Sequence, residues 1–225
     1  MLDLARNAAP EGTWLRAERQ TAGRGRQGRA WESPPGNLFA STLVRLRPSD
    51  SNPPTLALVA AVALEETVST YLRRPGESRD DEVLLKWPND LLLNGAKLSG
   101  ILLERSEDAV VIGFGVNLAH HPEGLERPAT SLAAHGSAPD AAAFLETLAE
   151  TFARWLARWR GEGLRPIRER WLAHAHSPGT ALATHLPDGS RIEGLFDGLD
   201  QDGALILRLA DGSRHVIHAG DIFLI

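Results

Sequence analysis

Apolar positions change their period along this chain, and the changes mark its elements. Residues 14–17 and 38–46 carry apolar and β-compatible side chains and read as strands, with a long polar loop from 20 to 37 between them. Pro53-Pro54-Thr55 then opens a helix, because proline is tolerated in a first turn where its missing N–H has no partner anyway. Leu56, Val59, Ala60, Ala63, Leu64 and Val68 recur at helical spacing and define its buried face. The run 56–64 is wholly apolar and stops at Glu65 and Glu66. A membrane span needs roughly 20 such residues, so the run predicts a core helix.

Short strands follow at 83–87, 91–93, 96–104 and 110–116, with Asn94-Gly95 as a strong hairpin signal between the second and third. A second amphipathic helix is expected over 139–160, with Leu145, Leu148, Phe152, Trp155, Leu156 and Trp159 on its apolar side, and a shorter one over 166–173. From Gly179 the texture breaks into short strands punctuated by Asp188-Gly189, Asp202-Gly203 and Asp211-Gly212. About five strands in so short a stretch predict a small SH3-like barrel. The domain boundary is expected at Ser177-Pro178-Gly179, giving units 1–177 and 178–225. The fold class is therefore α+β, a mixed β-sheet domain with helices followed by a small β domain.

Composition narrows the chemistry. The 225 residues are 43% hydrophobic and 24% charged, enough for a packed core under a soluble surface. There is no cysteine, which excludes a disulfide frame, a thiolate zinc site and a cysteine nucleophile, and fits the cytoplasm. The N-terminus lacks the apolar stretch of a secretory signal, and no membrane partner is expected. A net charge of −5 does not favour DNA. The pairs His120-His121, His174/His176 and His215/His218 lack a metalloprotease pattern, and no Gly-x-Ser-x-Gly element occurs.

Three segments carry candidate chemistry. In the first, Gln20 to Arg29, Gly23, Gly25 and Gly28 free the backbone while Arg24, Arg26 and Arg29 offer forks that match phosphate oxygens. Trp31 follows just beyond. A mobile surface loop with solvated arginines is the alternative. In the second, Pro88 stops a strand and delivers Asn89 and Asp90 to its end, and Lys97 lies past the Asn94-Gly95 turn on a strand that becomes apolar. A cation on such a rigid element stabilises negative charge on a phosphate. Equally, Lys97 protects a strand edge and Asp90 caps a turn. In the third, Gly113 and Gly115 mark a close approach within a strand, and Asn117 has an amide that matches an adenine edge. Packing glycines with a turn asparagine is the alternative.

Taken together, Gln20 to Arg29, Lys86 to Asp90, the segment from Lys97 to Gly100 and the later Gly-x-Asn element resemble the biotin protein ligase family in order and spacing, over essentially the whole chain. The resemblance implies a class II synthetase-like catalytic domain, biotin and ATP as substrates with Mg²⁺, and a biotin carboxyl carrier protein as acceptor. It implies that Gln20, Gly23, Arg24, Gly25 and Arg26 hold biotin, with Gly100 and Gly115 as tight walls of its pocket. Lys97 would contact the biotin carboxylate and the α-phosphate, with Arg26 as its catalytic companion. Arg24, Arg26, Arg29, Trp31, Asn89, Asp90 and Asn117 would face the nucleotide, and Asp90 the metal. A homodimer through sheet edges is plausible by analogy.

In one respect the chain departs from the family. A Ser-Thr-Asn-like element that helps hold the biotin rings is placed shortly before the family's first helix, and here Met1-Leu2-Asp3 stands where it should end. The expectation is a start placed upstream or a weaker biotin pocket. No helix-turn-helix precedes the catalytic unit, so a DNA-binding repressor role is not expected. The rival readings are a lipoate or octanoate ligase of the same fold and a nucleotide-binding interaction module without turnover.

Overall fold

The computed structural model describes residues 1–73, 81–125, 127–186 and 189–225. A six-stranded sheet runs in the order β1 (Trp14–Ala17), β2 (Leu38–Arg45), β6 (Ala109–Val116), β5 (Ala96–Ser106), β4 (Asp90–Leu93) and β3 (Val83–Lys86). Every ladder between these strands is antiparallel. Among the described residues, parallel pairing enters only as isolated bridges, Leu85 with Ala175 and Lys97 with Ala129. The Asn94-Gly95 turn forms as expected, with φ of 50° and 78° at its two residues, the left-handed pair that a tight hairpin needs.

Helix α1 (Leu2–Arg6) is short and left no periodic signal. Helix α2 (Leu56–Leu72) follows a 3₁₀ turn at Pro53–Thr55. Its predicted face is buried, but so are Leu58, Ala61, Val62, Glu65 and Thr67. One apolar stripe would suffice for a surface helix; a helix buried all round is a core helix. Here it packs against β3, β5, α3 (Ala141–Glu162) and α4 (Arg165–Ala173) at once. By length and composition this helix is apolar enough to cross a membrane, yet 67% of its apolar window is covered by the fold. Glu65, with 1% of its side chain exposed, is tolerated inside because Arg170 lies at 2.7 Å and His174 at 3.2 Å.

Helix α3 starts where Asp140 accepts hydrogen bonds from the N–H groups of Ala142 and Ala143, and stops at Gly163 with φ of 78°. The second sheet is β10 (Arg214–Ile217), β9 (Leu205–Arg208), β8 (Arg191–Leu199), β7 (Ala181–His185) and β11 (Asp221–Leu224) in that order, all antiparallel. The turns at Asp202-Gly203 and Asp211-Gly212 join its strands as expected; Asp188 of the third lies outside the described residues. One continuous apolar cluster runs from Leu38 in the first sheet to Ile222 in the second. The Trp87 indole N–H donates to Gly203 O at 3.2 Å, so the β3–β4 turn docks on the second sheet.

Candidate active site

The segment 23–31 is a small closed hairpin. Gly25 N–H donates to Arg29 O at 2.7 Å and Trp31 N–H to Gly23 O at 3.0 Å, around a 3₁₀ turn at Arg26–Gly28. Gly23 has no room for a side chain: a Cβ there would lie 2.5 Å from Trp31 O and 2.8 Å from Gln20 Oε1. Gln20 is fixed in turn by Ser33, whose hydroxyl donates to its Oε1 at 3.0 Å.

This hairpin is moored on the second sheet. Arg26 donates to Asn89 Oδ1 (3.3 Å), Gly220 O (3.2 Å) and Asp221 Oδ1 (3.3 Å), while Arg29 pairs with the other Asp221 oxygen. Burial works against the Asp221 carboxylate, but the Arg29 hydrogen bond and the charges of Arg29, Arg26 and Arg127 outweigh it and hold its pKa below the ordinary carboxylate value. Arg24 is exposed, and its side chain has no hydrogen bond or ion pair among the described residues.

Trp31 lies on the central strands. Gly100 and Gly115 face each other across β5 and β6, and the indole fills the notch they leave. A Cβ on Gly115 would come within 2.7 Å of the ring, and one on Gly100 within 3.2 Å. The Lys97 ammonium sits 5.5 Å from the same ring's centroid and 2.7 Å from Asp90 Oδ1. Lys97 is therefore not an edge guard, because β5 lies between β4 and β6. Its carboxylate partner Asp90 sits 15% exposed.

A β-bulge explains how these groups meet. In a regular strand Lys97 and Gly100, three residues apart, point to opposite faces. Here Asp90 pairs with Gly100 and Leu92 with Lys97, the register slipping by one residue between Leu91 and Leu92. The slip turns Lys97 onto the face of Asp90 and Gly100.

Asn89 braces the site: its amide donates to Ile101 O at 2.6 Å while its oxygen accepts from Arg26. Asn117 is 3% exposed and donates to Thr130 O at 3.0 Å. The segment it holds is stitched to Lys97 by Lys97 N–H to Pro128 O (2.8 Å) and Thr130 N–H to Lys97 O (2.9 Å). The structure thus gathers Gln20, Gly23, Gly25, Arg26, Arg29, Trp31, Asn89, Asp90, Lys97, Gly100 and Gly115 into one region. Lys86, named in the sequence only as the start of the 86–90 motif, joins it, and so do Asp221 and Arg127, which the sequence did not single out. Asp221 offered no signal beyond an acid ahead of a strand. A cavity of about 850 Å³ lined by Trp14, Phe152 and Arg160 shares none of these residues.

Residues 3–117 match the biotin/lipoate A/B protein ligase family, and residues 184–225 match the biotin protein ligase C-terminal domain. The biotin–[acetyl-CoA-carboxylase] ligase of Paracoccus denitrificans is 41% identical over 93% of this chain and 89% of its own length. The bifunctional ligase/repressor BirA of Bacillus subtilis is 35% identical, over 99% and 69%. Among solved structures, the biotin protein ligase of Aquifex aeolicus in complex with biotin and ATP superposes with a TM-score of 0.84 at 27% identity, covering 99% of this chain and 93% of that one. The chain belongs to the biotin/lipoate A/B protein ligase family, among its biotin protein ligases.

Proposed function

We propose that the protein joins biotin to ATP as biotinyl-5′-AMP and passes the biotinyl group to a lysine of a biotin carboxyl carrier protein. The observation that carries this reading is the Lys97 ammonium, held between the Asp90 carboxylate and the Trp31 face, beside the Gly100–Gly115 notch. Two anions, a carboxylate and a triphosphate, repel each other and must be held in line for attack on the α-phosphorus. Lys97, Arg26 and Arg29 supply the fixed positive charge that such a transition state needs. The notch is wide enough for a flat ring, and Trp31 must leave it when a ligand enters. The loop then shields the mixed anhydride from water, until an acceptor amine attacks its carbonyl and expels AMP.

Arg24, with no side-chain partner among the described residues, is free to reach the substrates, and Asn117 anchors the wall on which we place adenine. Mg²⁺ fits this site as an ion carried by ATP. Among the described residues no group of three or more acidic or histidine side chains could hold a metal, and Mg²⁺ bound chiefly through phosphates needs only one or two carboxylates. Asp90 is the carboxylate we assign to it, and the ion would offset charge on the phosphate oxygens. We assign catalysis to residues 1–177, take residues 178–225 as the second unit, and place the protein in the cytoplasm with no DNA or membrane partner. A homodimer through sheet edges remains part of the proposal.

The test is release of AMP and pyrophosphate with biotin, ATP and an apo carrier domain. Turnover that requires lipoate or octanoate in place of biotin overturns the substrate assignment, and binding without turnover favours the interaction-module reading.

A further inference from the structure

Behind Lys97 the chain is braced by a histidine that none of the proposed roles uses. Strand β6 stops at Val116, opposite Ser99, and so does not reach the lysine. Residues 128–130 take its place there: both main-chain groups of Lys97 are bonded to them, and Lys97 bridges to Ala129 in parallel. Ala129 therefore shares the face of the lysine, and Thr130, next along, turns its side chain to the other face. On that far face the Thr130 hydroxyl, in a residue 6% exposed, meets His135 Nε2 at 2.9 Å. His135 closes the 3₁₀ turn Leu132–His135, whose Leu132 N–H donates to Asn117 O at 3.0 Å.

The other ring nitrogen faces the hairpin that carries the lysine. His135 Nδ1 lies 3.4 Å from Asp81 Oδ1 and 3.4 Å from Asn94 Nδ2. Asn94 donates to the same Asp81 oxygen at 2.9 Å, and its own Oδ1 accepts from Glu82 N–H at 2.8 Å. A carboxylate beside Nδ1 favours the tautomer with its proton there, which leaves Nε2 to accept from the Thr130 hydroxyl. Asn94 opens the β4–β5 turn, three positions before Lys97. The contacts thus form a closed ring, from the Lys97 main chain to Thr130, across the imidazole to Asn94, and back along the turn to Lys97. The β4 ladder slips at this level, so the aim of the lysine depends on the neighbour on its other side.

We propose that His135 is a positioning residue for adenylation: it touches no substrate, and it acts by fixing the main chain of Lys97 at the bulge. The inference rests on the adenylation reading above. With the imidazole gone, residues 128–130 lose their tie to the hairpin and the ammonium loses its fixed aim at the reacting phosphate. A displacement of about 1 Å in an aligned reacting group costs up to roughly 10² in rate. The side chains of His135 and Asp81 are only 19% and 14% exposed, so water is a poor substitute for the bonds they make.

The experiment is a double-mutant cycle read by biotin-dependent exchange of labelled pyrophosphate into ATP, at saturating substrates and well below the unfolding temperature. His135→Leu and Thr130→Val should each lower the exchange rate roughly 10- to 100-fold, and Thr130→Ser, which keeps the hydroxyl, should recover most of it. Added to Lys97→Ala, His135→Leu should cost less than about twofold more, because no ammonium is left to aim. Unchanged exchange in both single variants, or a second loss of full size on top of Lys97→Ala, overturns the proposal. Should His135→Leu fail to fold, the same cycle run with Thr130→Val decides. A wild-type protein without biotin-dependent exchange overturns the adenylation reading, and the inference with it; additive losses in a wild-type background that does exchange overturn the inference alone.

Discussion

The indole of Trp31 rests on Gly115 so closely that a methyl group there would come within 2.7 Å of its ring. Gly115→Ala therefore evicts the indole from the notch or strains β6. We expect a loss of about 1–3 kcal/mol in urea unfolding, together with a raised KM for biotin. Unchanged values of both would show that neither the indole nor the ligand needs the notch.

Lys97→Ala removes the ammonium that faces Asp90 and Trp31. Adenylation should fall by roughly 10²–10³, measured as biotin-dependent pyrophosphate release under saturating ATP. Near-normal pyrophosphate exchange in this variant would count against Lys97 as the group that contacts the reacting phosphate.

Asp221→Asn weakens the mooring of the arginine hairpin, at a cost of about 1–3 kcal/mol at neutral pH. The folded protein depresses the Asp221 pKa below its ordinary 3.8. Its contribution is therefore complete above that ordinary value and disappears as pH falls through the depressed one. Denaturant midpoints of the two proteins should converge in that acidic window. A gap that persists unchanged to the lowest pH would mean that the carboxylate charge is not what holds the loop.

Thr55→Val leaves the buried Trp159 N–H without the hydroxyl that now accepts it at 2.9 Å. Stability should drop by about 1–3 kcal/mol while KM for biotin and ATP stays put. A large KM change would couple the α2–α3 core to the site in a way the contacts do not display.

Much of the frame was legible because periodicity reports burial on one side. Strands over 14–17 and 110–116 and helix α3 lie within two residues of where the pattern put them. Helix α2 was harder, since wrapping by helices and strands together buries positions that a single stripe leaves out. Within the site, motifs located Lys97 and Asp90, but no strand period could place Lys97 beside Gly100, because that depends on a bulge. Asp221 was illegible for another reason: its meaning comes only from two arginines that lie nearly the whole chain away.

Arg26 and Asp221 are 195 positions apart in the chain. A ribosome that has just added Arg26 needs roughly 10–40 s more to add Asp221. Throughout that interval the nascent hairpin has its arginine side chains but no berth for them. Competence for the reaction therefore arrives late in synthesis, however early the first sheet's own strands emerge.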